Sequence, residues 1–172
     1  MVGMINRYQI NERQHIEFSI GVAEVFGEHI QRLGQNESGG ILLGSVYHDS
    51  HVVVAMATTP KYPDQAGPCF FDRSRARAQR IIEREWESSS GVRIYLGEWH
   101  THSEAHPKPS SRDRKMIRNM FRQTEMHIDF LLLVIVGITT NWVGIEDGNS
   151  LQQLQPVRKG ENLIARAAIN SA

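Results

Sequence analysis

The chain has 172 residues, of which 40% are hydrophobic, and its 19 basic and 19 acidic side chains give a formal net charge of zero. This length suits a single domain over residues 1–172, and the neutral balance excludes a global field that would recruit nucleic acid or an anionic membrane. The one cysteine, Cys69, excludes an internal disulfide framework and a zinc site built from several cysteines. We expect a cytoplasmic protein, because the first residues lack the apolar run of a signal peptide and no apolar run is long enough to span a bilayer.

The N-terminal part of the chain predicts a strand followed by a helix. Residues 16–20 have the composition of a strand. A helix is then predicted over 21–33, with Gly34 ending it, because four apolar residues are spaced for one helix face: Val22, Phe26, Ile30 and Leu33.

Glu37 stands at the mouth of a glycine-containing strand predicted over residues 41–47. A second strand, 51–58, is expected to return antiparallel after the turn at residues 48–50. Residues 59–71 contain three prolines and one glycine without periodicity, which predicts a long loop. Loops of this length in a compact domain are often functional.

Residues 72–86 predict an amphipathic helix with an arginine-rich side. Asp72 is the expected N-cap, and the buried stripe is expected to contain Ala78, Ile82 and Trp86. The other side carries four basic residues, Arg73, Arg77, Arg80 and Arg84. They could dock an acidic partner or nucleic acid, but the glutamates among them favour a solvated face.

Residues 97–113 carry the pattern of a metal site. His100 and His102 follow a strand-like run, and side chains two apart on a strand share a face. After a loop with two prolines, Ser110 is expected to cap a helix with Asp113 in its first turn, which brings one carboxylate beside the two imidazoles. Two imidazoles and one carboxylate form a three-ligand set for Zn²⁺ with an open position, as in catalytic sites. Ser110 and Asp113 also fit ordinary helix capping, and the two interpretations are compatible.

The rest of the chain completes a layered α/β architecture. A helix is predicted over 111–123, a strand covered on both faces over 128–138, and edge strands over 142–146 and 151–157. Because helices alternate with strands, the expected fold is a three-layer α-β-α sandwich around a mixed, largely antiparallel sheet. Residues 160–172 have only a weak helical pattern and are expected to form a poorly ordered tail.

At these motifs the chain resembles the JAMM metalloproteases, also called JAB or MPN-plus domains. Their pattern is His-x-His, seven residues, then Ser-x-x-Asp, with a glutamate far upstream before a glycine-rich strand. The matching residues are His100, His102, Ser110, Asp113 and Glu37. The expected order of elements covers most of residues 15–157, and Gly-Glu-Trp-His-Thr-His is similar to the bacterial branch, including peptidases of CBASS antiphage operons. Ser103 departs from the proline that many relatives have there, which bears on loop rigidity and substrate fit rather than on metal binding.

The resemblance implies a role for each motif residue. One zinc ion per chain is expected on His100, His102 and Asp113, in a fold related to the cytidine-deaminase-like architecture. Glu37 is the expected general base and then acid, and Ser110 is expected to donate a hydrogen bond to the oxyanion. Glu98 lies two residues before His100 and should share its strand face, so it is expected to support a ligand or contact substrate rather than act as the base.

The implied activity is that of a zinc-dependent isopeptidase or peptidase. Such an enzyme cleaves the amide after the extended C-terminal tail of a ubiquitin-like protein, or of a protein conjugated in that way, which in the CBASS branch is the cyclic-nucleotide synthase. The first alternative is an MPN scaffold without metal, although this chain has every ligand. A second is a DNA-associated JAB-like protein of a repair or mobile-element locus, which only the arginine-rich side supports. An Fe(II) oxygenase would place its carboxylate before the last histidine rather than at the end.

Overall fold

The computed structural model describes residues 6–47, 51–125 and 127–157. These residues form eleven strands and three helices. The strands are β1 (Arg7–Gln9), β2 (His15–Phe18), β3 (Gly39–Val46), β4 (Val52–Ala57), β5 (Gln65–Gly67), β6 (Phe70–Asp72), β7 (Ile94–Thr101), β8 (Leu131–Val136), β9 (Asn141–Glu146), β10 (Leu151–Gln153) and β11 (Gln155–Pro156). The helices are α1 (Ile20–Glu28), α2 (Arg75–Ser88) and α3 (Ser111–Gln123).

Nine of the strands form one curved sheet, in the order β10-β9-β8-β7-β3-β4-β2-β1-β11. Two neighbouring pairs are parallel, β2 with β4 and β7 with β8, and the other pairs of this sheet are antiparallel. Only Leu154 separates β10 from β11, although these strands lie at opposite ends of the order. The sheet therefore curves until its edges approach each other, and Leu154, 5% exposed, packs into the enclosed core.

Helices cover both faces of the sheet. On the enclosed face, Val22 and Phe26 of α1 pack into a core with residues from β2, β4, β7 and β8. On the other face, Ala78 of α2 and Ile117 of α3 pack against a second core formed by β3, β7 and β8. The strand β8 is buried along its whole length, as expected for a strand covered on both sides. The predicted three-layer sandwich with a mixed, largely antiparallel sheet is confirmed.

The first helix is shorter than its apolar pattern predicted. It begins after the N-cap Ser19 and ends at Glu28 instead of residue 33. Leu33, expected on the buried face, is 94% exposed. The buried residue of this segment is instead Gln31, whose side-chain amide bonds the backbone of Gln35 and Pro68 and holds residues 29–38 as an ordered connection.

The second helix starts two residues later than its predicted cap. Ser74 is the N-cap, and its side chain accepts a hydrogen bond from Arg77 N. Asp72 ends the strand β6 instead and forms an ion pair with Arg112. Trp86, expected in the buried stripe, is 38% exposed and stacks on the His127 ring with 4.6 Å between centroids.

The predicted loop over residues 59–71 contains a two-stranded hairpin of β5 and β6, here called the β5–β6 hairpin. The expected edge strand 142–146 lies inside the sheet, between β8 and β10, and the expected strand 151–157 is divided into β10 and β11. The turn at 48–50 and the tail at 160–172 lie outside the described residues. Among the described helices, none is long and apolar enough to cross a membrane.

Candidate active site

The central strand β7 presents the two histidines on one face. It pairs with β3 and β8, and the backbone N–H of His102 donates to Val136 O at 3.0 Å, so the extended conformation continues past Thr101. Trp99 is buried on the opposite face against Phe26, with ring centroids 5.2 Å apart. His100 and His102 therefore point away from the α1 layer, as the alternation of a strand predicted.

The helix α3 supplies the carboxylate. Ser110 and Asp113 form a capping box, in which Ser110 Oγ accepts from Asp113 N at 3.2 Å and Asp113 Oδ2 accepts from Ser110 N at 2.7 Å. This local geometry turns the Asp113 side chain back toward the helix start, beside β7. The capping role and the site role predicted for these two residues coexist in the same conformation.

The three side chains meet through their terminal atoms. His100 Nε2 lies 3.2 Å from His102 Nε2 and 3.2 Å from Asp113 Oδ1, and His102 Nε2 lies 3.4 Å from Asp113 Oδ2. A tetrahedral zinc ion with nitrogen ligands at 2.0–2.1 Å separates neighbouring donor atoms by about 3.3 Å, so these spacings fit the ion. Among the described residues, no other group of three potential ligand side chains lies within 4.8 Å.

The electrostatics of this cluster favour an ionised carboxylate. Burial raises the pKa of Asp113, but hydrogen bonds with His100 and His102 outweigh it and hold that pKa well below its usual range. For His102, burial lowers the pKa. The hydrogen bond and the negative charge of Asp113 raise that pKa by more, so the net shift is upward. A cluster that attracts protons in this way attracts any cation of suitable size.

Glu37 is a buried carboxyl group beside the cluster. It is 8% exposed, and burial raises its pKa to about 7, while the charge of His102 lowers it and that of Asp113 raises it. Glu37 stands two residues before Gly39, which pairs with His100 across β3 and β7. Its backbone N–H donates to Gly67 O in the β5–β6 hairpin at 2.8 Å. The structure thus places Glu37 close along the chain to the strand that pairs with His100, and its catalytic role stays a prediction.

The β5–β6 hairpin packs beside the start of β3 and the start of α3. Phe71 packs on Gly39, where any Cβ would collide with the Phe71 ring and with the Trp99 carbonyl oxygen. Phe70 lies under the Arg112 guanidinium, 5.1 Å from ring centroid to Arg112 Cζ, and Arg112 also pairs with Asp72 at 2.9 Å. The absence of a side chain at Gly39 therefore allows the hairpin to approach the strand that follows Glu37.

Glu98 belongs to a buried ion-pair network that sequence reasoning missed. Its carboxylate accepts hydrogen bonds from Arg73 Nε at 2.8 Å and from the Tyr95 hydroxyl. Tyr95 and Glu98 share a face although they are three residues apart, because β7 has a bulge beside Gly97, where Leu42 pairs with Gly97 but Leu43 pairs with Tyr95. In the sequence, Gly97 was the one signal of this bulge, and in the structure its backbone φ is 157°.

The arginine-rich side of α2 is not a uniformly solvated face, contrary to expectation. Arg73 precedes the helix and pairs with Glu98 at 2.7 Å, and Arg77 pairs with Asp64 at 2.6 Å. Both arginine side chains are largely buried. Arg80 is exposed and donates to Ala76 O within its own helix. Two of the four charges are therefore already neutralised inside the protein.

Ser110 caps the helix that carries Asp113, and His106 lies in the loop before that helix. Ser110 is exposed, and its hydroxyl accepts from Asp113 N, which leaves the hydroxyl proton free to donate. His106 is exposed as well, and its Nδ1 lies 3.0 Å from Thr140 Oγ1. It is absent from the three-residue ligand cluster, consistent with its lack of ligand spacing in the sequence.

The fold and the site together define a class: an α-β-α domain with a group of two histidines and one aspartate that could hold a metal ion, and with a buried glutamate at the entry to the neighbouring strand. The family described as prokaryotic homologs of the JAB domain matches residues 20–148. This match covers most of the chain, and the chain belongs to that family.

Named relatives share the same similarity. A Pseudomonas aeruginosa protein named CD-NTase/cGAS isopeptidase is 38% identical over 105 residues, which cover 60% of this chain and 66% of that protein, slightly under two thirds of its length. A Sinorhizobium fredii protein named probable metalloprotease y4qB is 28% identical over 129 residues, covering 71% of this chain and 76% of that protein. The solution structure of protein DSY2949 from Desulfitobacterium hafniense has a TM-score of 0.57 at 18% identity, covers 80% of this chain and 88% of its own, and shows the same fold.

Proposed function

We propose that this chain is a zinc-dependent isopeptidase that hydrolyses an amide bond at the end of an extended protein tail. The observation that carries the proposal is the spacing of His100, His102 and Asp113, at 3.2 to 3.4 Å between donor atoms, beside the buried Glu37 carboxyl. The names of the relatives, an isopeptidase and a probable metalloprotease, support the same chemistry.

Zinc is the ion we propose because its ligand preferences match the donors. Two imidazole nitrogens and one carboxylate oxygen are a catalytic zinc set, and three protein ligands leave a coordination position open. When bound, a zinc ion lowers the pKa of a water molecule and polarises a carbonyl group, which together make hydrolysis of an unactivated amide accessible near neutral pH.

Glu37 is the proposed proton carrier. Burial raises the pKa of Glu37 to about 7, so its carboxyl can both accept and release a proton near neutral pH. In the proposed reaction it takes the proton of the attacking water as the oxygen adds to the carbonyl carbon. It then delivers that proton to the amine nitrogen as the carbon–nitrogen bond breaks.

Ser110 is the proposed donor to the developing oxyanion. Its hydroxyl oxygen accepts from Asp113 N, and a hydroxyl that accepts one hydrogen bond can still donate its own proton. It also stands at the start of α3, where the helix dipole is positive and favours negative charge. A donor already placed where charge develops lowers the barrier without reorganisation.

Glu98 is proposed as a supporting group rather than the base. Arg73 and the Tyr95 hydroxyl already occupy its carboxylate. Arg73 Nε contacts both carboxylate oxygens, so this group is engaged within the protein. Glu98 lies on the same face of β7 as His100, so its contacts can hold this part of the strand in place.

The proposed substrate is a CD-NTase joined through its C-terminal tail to another molecule. The name of the Pseudomonas relative supports this choice over a general ubiquitin-like protein. The alternative of a non-catalytic scaffold predicts binding of the same tail without cleavage. The DNA-associated alternative rested on the arginine-rich side, where Arg73 and Arg77 are already paired with carboxylates.

Metal analysis tests the site directly. Purified protein is expected to hold one zinc per chain, and alanine at His100, His102 or Asp113 is expected to reduce occupancy, because each removes a bond to the ion. His106→Ala is the matched control, since this exposed histidine contacts Thr140 and lies outside the cluster. Full zinc content in His102→Ala would remove His102 from the ligand set.

A cleavage assay tests the reaction. The substrate is a CD-NTase whose C-terminal carboxyl is linked by an amide to a reporter protein, and the same reporter linked to a ubiquitin-like tail serves as a comparison. We expect zinc-loaded protein to cleave after the CD-NTase tail and the Glu37→Gln variant to fail. Binding of the substrate by zinc-loaded wild-type protein without cleavage would favour the scaffold.

A further inference from the structure

Gln31 is a buried polar residue whose side-chain amide is fully used. It is 3% exposed. Its Nε2 group donates to Gln35 O at 2.8 Å and to Pro68 O at 3.0 Å, and its Oε1 accepts from Thr101 Oγ1 at 3.4 Å. These contacts employ both N–H groups and the carbonyl oxygen of the amide. One side chain therefore links the α1–β3 connection, the turn of the β5–β6 hairpin and the strand β7.

The partners of Gln31 connect it to the backbone on either side of Glu37. Thr101 lies between the two histidines on the opposite face of β7, its hydroxyl accepts from Ser38 N at 2.9 Å, and its N–H donates to Ser38 O at 2.9 Å. Pro68 follows Gly67, whose carbonyl oxygen accepts from Glu37 N at 2.8 Å. Gln31 thus contacts Gln35, two residues before Glu37, and Pro68, the neighbour of the Gly67 that bonds Glu37. It also contacts Thr101, which holds Ser38 just after Glu37.

We propose that Gln31 is a positioning residue that sets the place of the Glu37 carboxyl relative to the metal ligands. This inference rests on the proposed function, in which Glu37 carries the proton. The hydrogen bond described for Glu37 is made by its backbone N–H. The place of its carboxyl therefore depends on where the backbone of residues 35–38 is held. A misplacement of about 1 Å at a catalytic group costs roughly a hundredfold in rate, so loss of this support is measurable.

The first arm compares two glutamines of the same connection. Gln31→Met keeps the side-chain length but removes the three hydrogen bonds. Gln35→Met is the control, because the Gln35 side chain is exposed and accepts only from Arg32 N among the contacts described. We expect both variants to hold one zinc per chain. Gln31→Met should lose at least about tenfold in kcat with KM within about threefold, whereas Gln35→Met should stay within about twofold of wild type.

The second arm asks whether Gln31 acts through Glu37. If it does, adding Gln31→Met to Glu37→Gln should slow the residual reaction by less than about twofold, because the group being positioned is already disabled. A purely structural role for Gln31 would instead reduce the rate by the same factor in both backgrounds.

The third arm needs no activity. In metal-free protein, hydrogen exchange of the Glu37 amide should be at least about tenfold faster in Gln31→Met, while the amides of β8 keep their wild-type exchange, because only the local support is lost. If Gln31→Met fails to fold, Thr101→Val is the second variant, since it removes the hydroxyl that bridges Gln31 and Ser38 without changing side-chain volume. The same exchange pattern is expected for it.

Two kinds of failure can be told apart. An inactive zinc-loaded wild-type protein would reject the proposed function, and the exchange arm would still report whether Gln31 holds Glu37. Wild-type kcat and unchanged Glu37 exchange in Gln31→Met would overturn the positioning role while leaving the proposed function intact. Equal losses in the two backgrounds of the second arm would also overturn it.

Discussion

Glu37 and Glu98 are two carboxyl groups of the same site with opposite surroundings. Glu37 is desolvated, with a pKa raised to about 7 by burial, whereas Glu98 is held by a guanidinium and a hydroxyl. Carboxyl groups in such different environments suit different roles. The contrast supports the proposal that Glu37, rather than Glu98, transfers the proton, although both residues are buried glutamates.

The first residue-scale prediction exchanges each carboxylate for an amide. Glu37→Gln should keep zinc and fold but lower turnover by at least about a hundredfold, the usual contribution of a positioned general base. Glu98→Gln should cost much less in turnover, because Glu98 transfers no proton in the proposed reaction. Steady-state cleavage rates measure both variants, and near-normal turnover of Glu37→Gln with an inactive Glu98→Gln would exchange the two roles.

The second residue-scale prediction concerns the stability of the metal-free protein. Burial raises the pKa of Glu37 from 4.5 to about 7. Below pH 4.5 the group is protonated in both the folded and unfolded states, so the ionisation of Glu37 then costs no folding stability. Stability is lost as pH rises through about 7, by up to about 3 kcal/mol. Glu37→Gln should therefore raise the free energy of unfolding at pH 8 and change it little at pH 4.

Chemical denaturation at both pH values measures this difference. Glu24→Gln on the exposed side of α1 is the control, and it should shift the free energy of unfolding by a similar small amount at each pH. If the Glu37→Gln and wild-type unfolding free energies stayed parallel from pH 4 to pH 8, the Glu37 carboxyl would be in contact with water rather than desolvated.

At the scale of elements, the β5–β6 hairpin is the segment beside the candidate site that we expect to contact an extended peptide. It is fastened at Gly67 to Glu37 and at Asp72 to Arg112. Backbone edges of a short sheet can pair with an extended peptide through main-chain hydrogen bonds that ignore most side chains. We therefore predict that the enzyme reads the extended tail and tolerates different proteins beyond the cleaved bond.

The assay for this prediction fuses the cognate tail to several unrelated folded proteins. Cleavage rates within about tenfold of one another, or roughly 1.4 kcal/mol in transition-state stabilisation, are expected if the tail alone is read. The Glu37→Gln variant serves as the blank. Cleavage of only one downstream partner would show that the body of that partner, rather than the tail, is recognised.

At the scale of the whole molecule, the proposed zinc ion links the central strand β7 to the start of α3. Zinc should stabilise the folded state because the assembled site exists only there, by about 2.7 kcal/mol at a free concentration a hundred times the Kd. For a chain of this size this corresponds to a rise in Tm of roughly 5–10 °C. Thermal unfolding with zinc or with a chelator measures the change, and His106→Ala should keep it while His102→Ala loses it.

Local periodicity in the sequence predicted the arrangement of the candidate metal-binding residues. The alternation of a strand placed His100 and His102 on one face, and the Ser110–Asp113 pattern formed the capping box that carries the carboxylate. These predictions succeeded because each depends on neighbours within a few residues. The nearly continuous apolar run of β8 likewise marked it as a strand covered on both faces.

Contacts between distant segments could not be derived in the same way. Leu33 fitted the apolar face of α1 by spacing, but the buried Gln31 bonds Pro68 and Thr101 and ends that pattern early. Asp72 fitted a helix cap, but it faces Arg112 in the folded chain. Local propensity is a weak prior that tertiary contacts override.

By itself, then, the sequence determined which residues stand two or three positions apart on a strand or at a helix start, and with them the metal-binding pattern. Only the tertiary structure decided how Glu37 is desolvated beside that pattern, how Arg73 neutralises Glu98 and how β10 and β11 bring the two sheet edges together. The physical reason is that burial and ion pairing depend on which distant segments exclude water from a group, and no local periodicity encodes that.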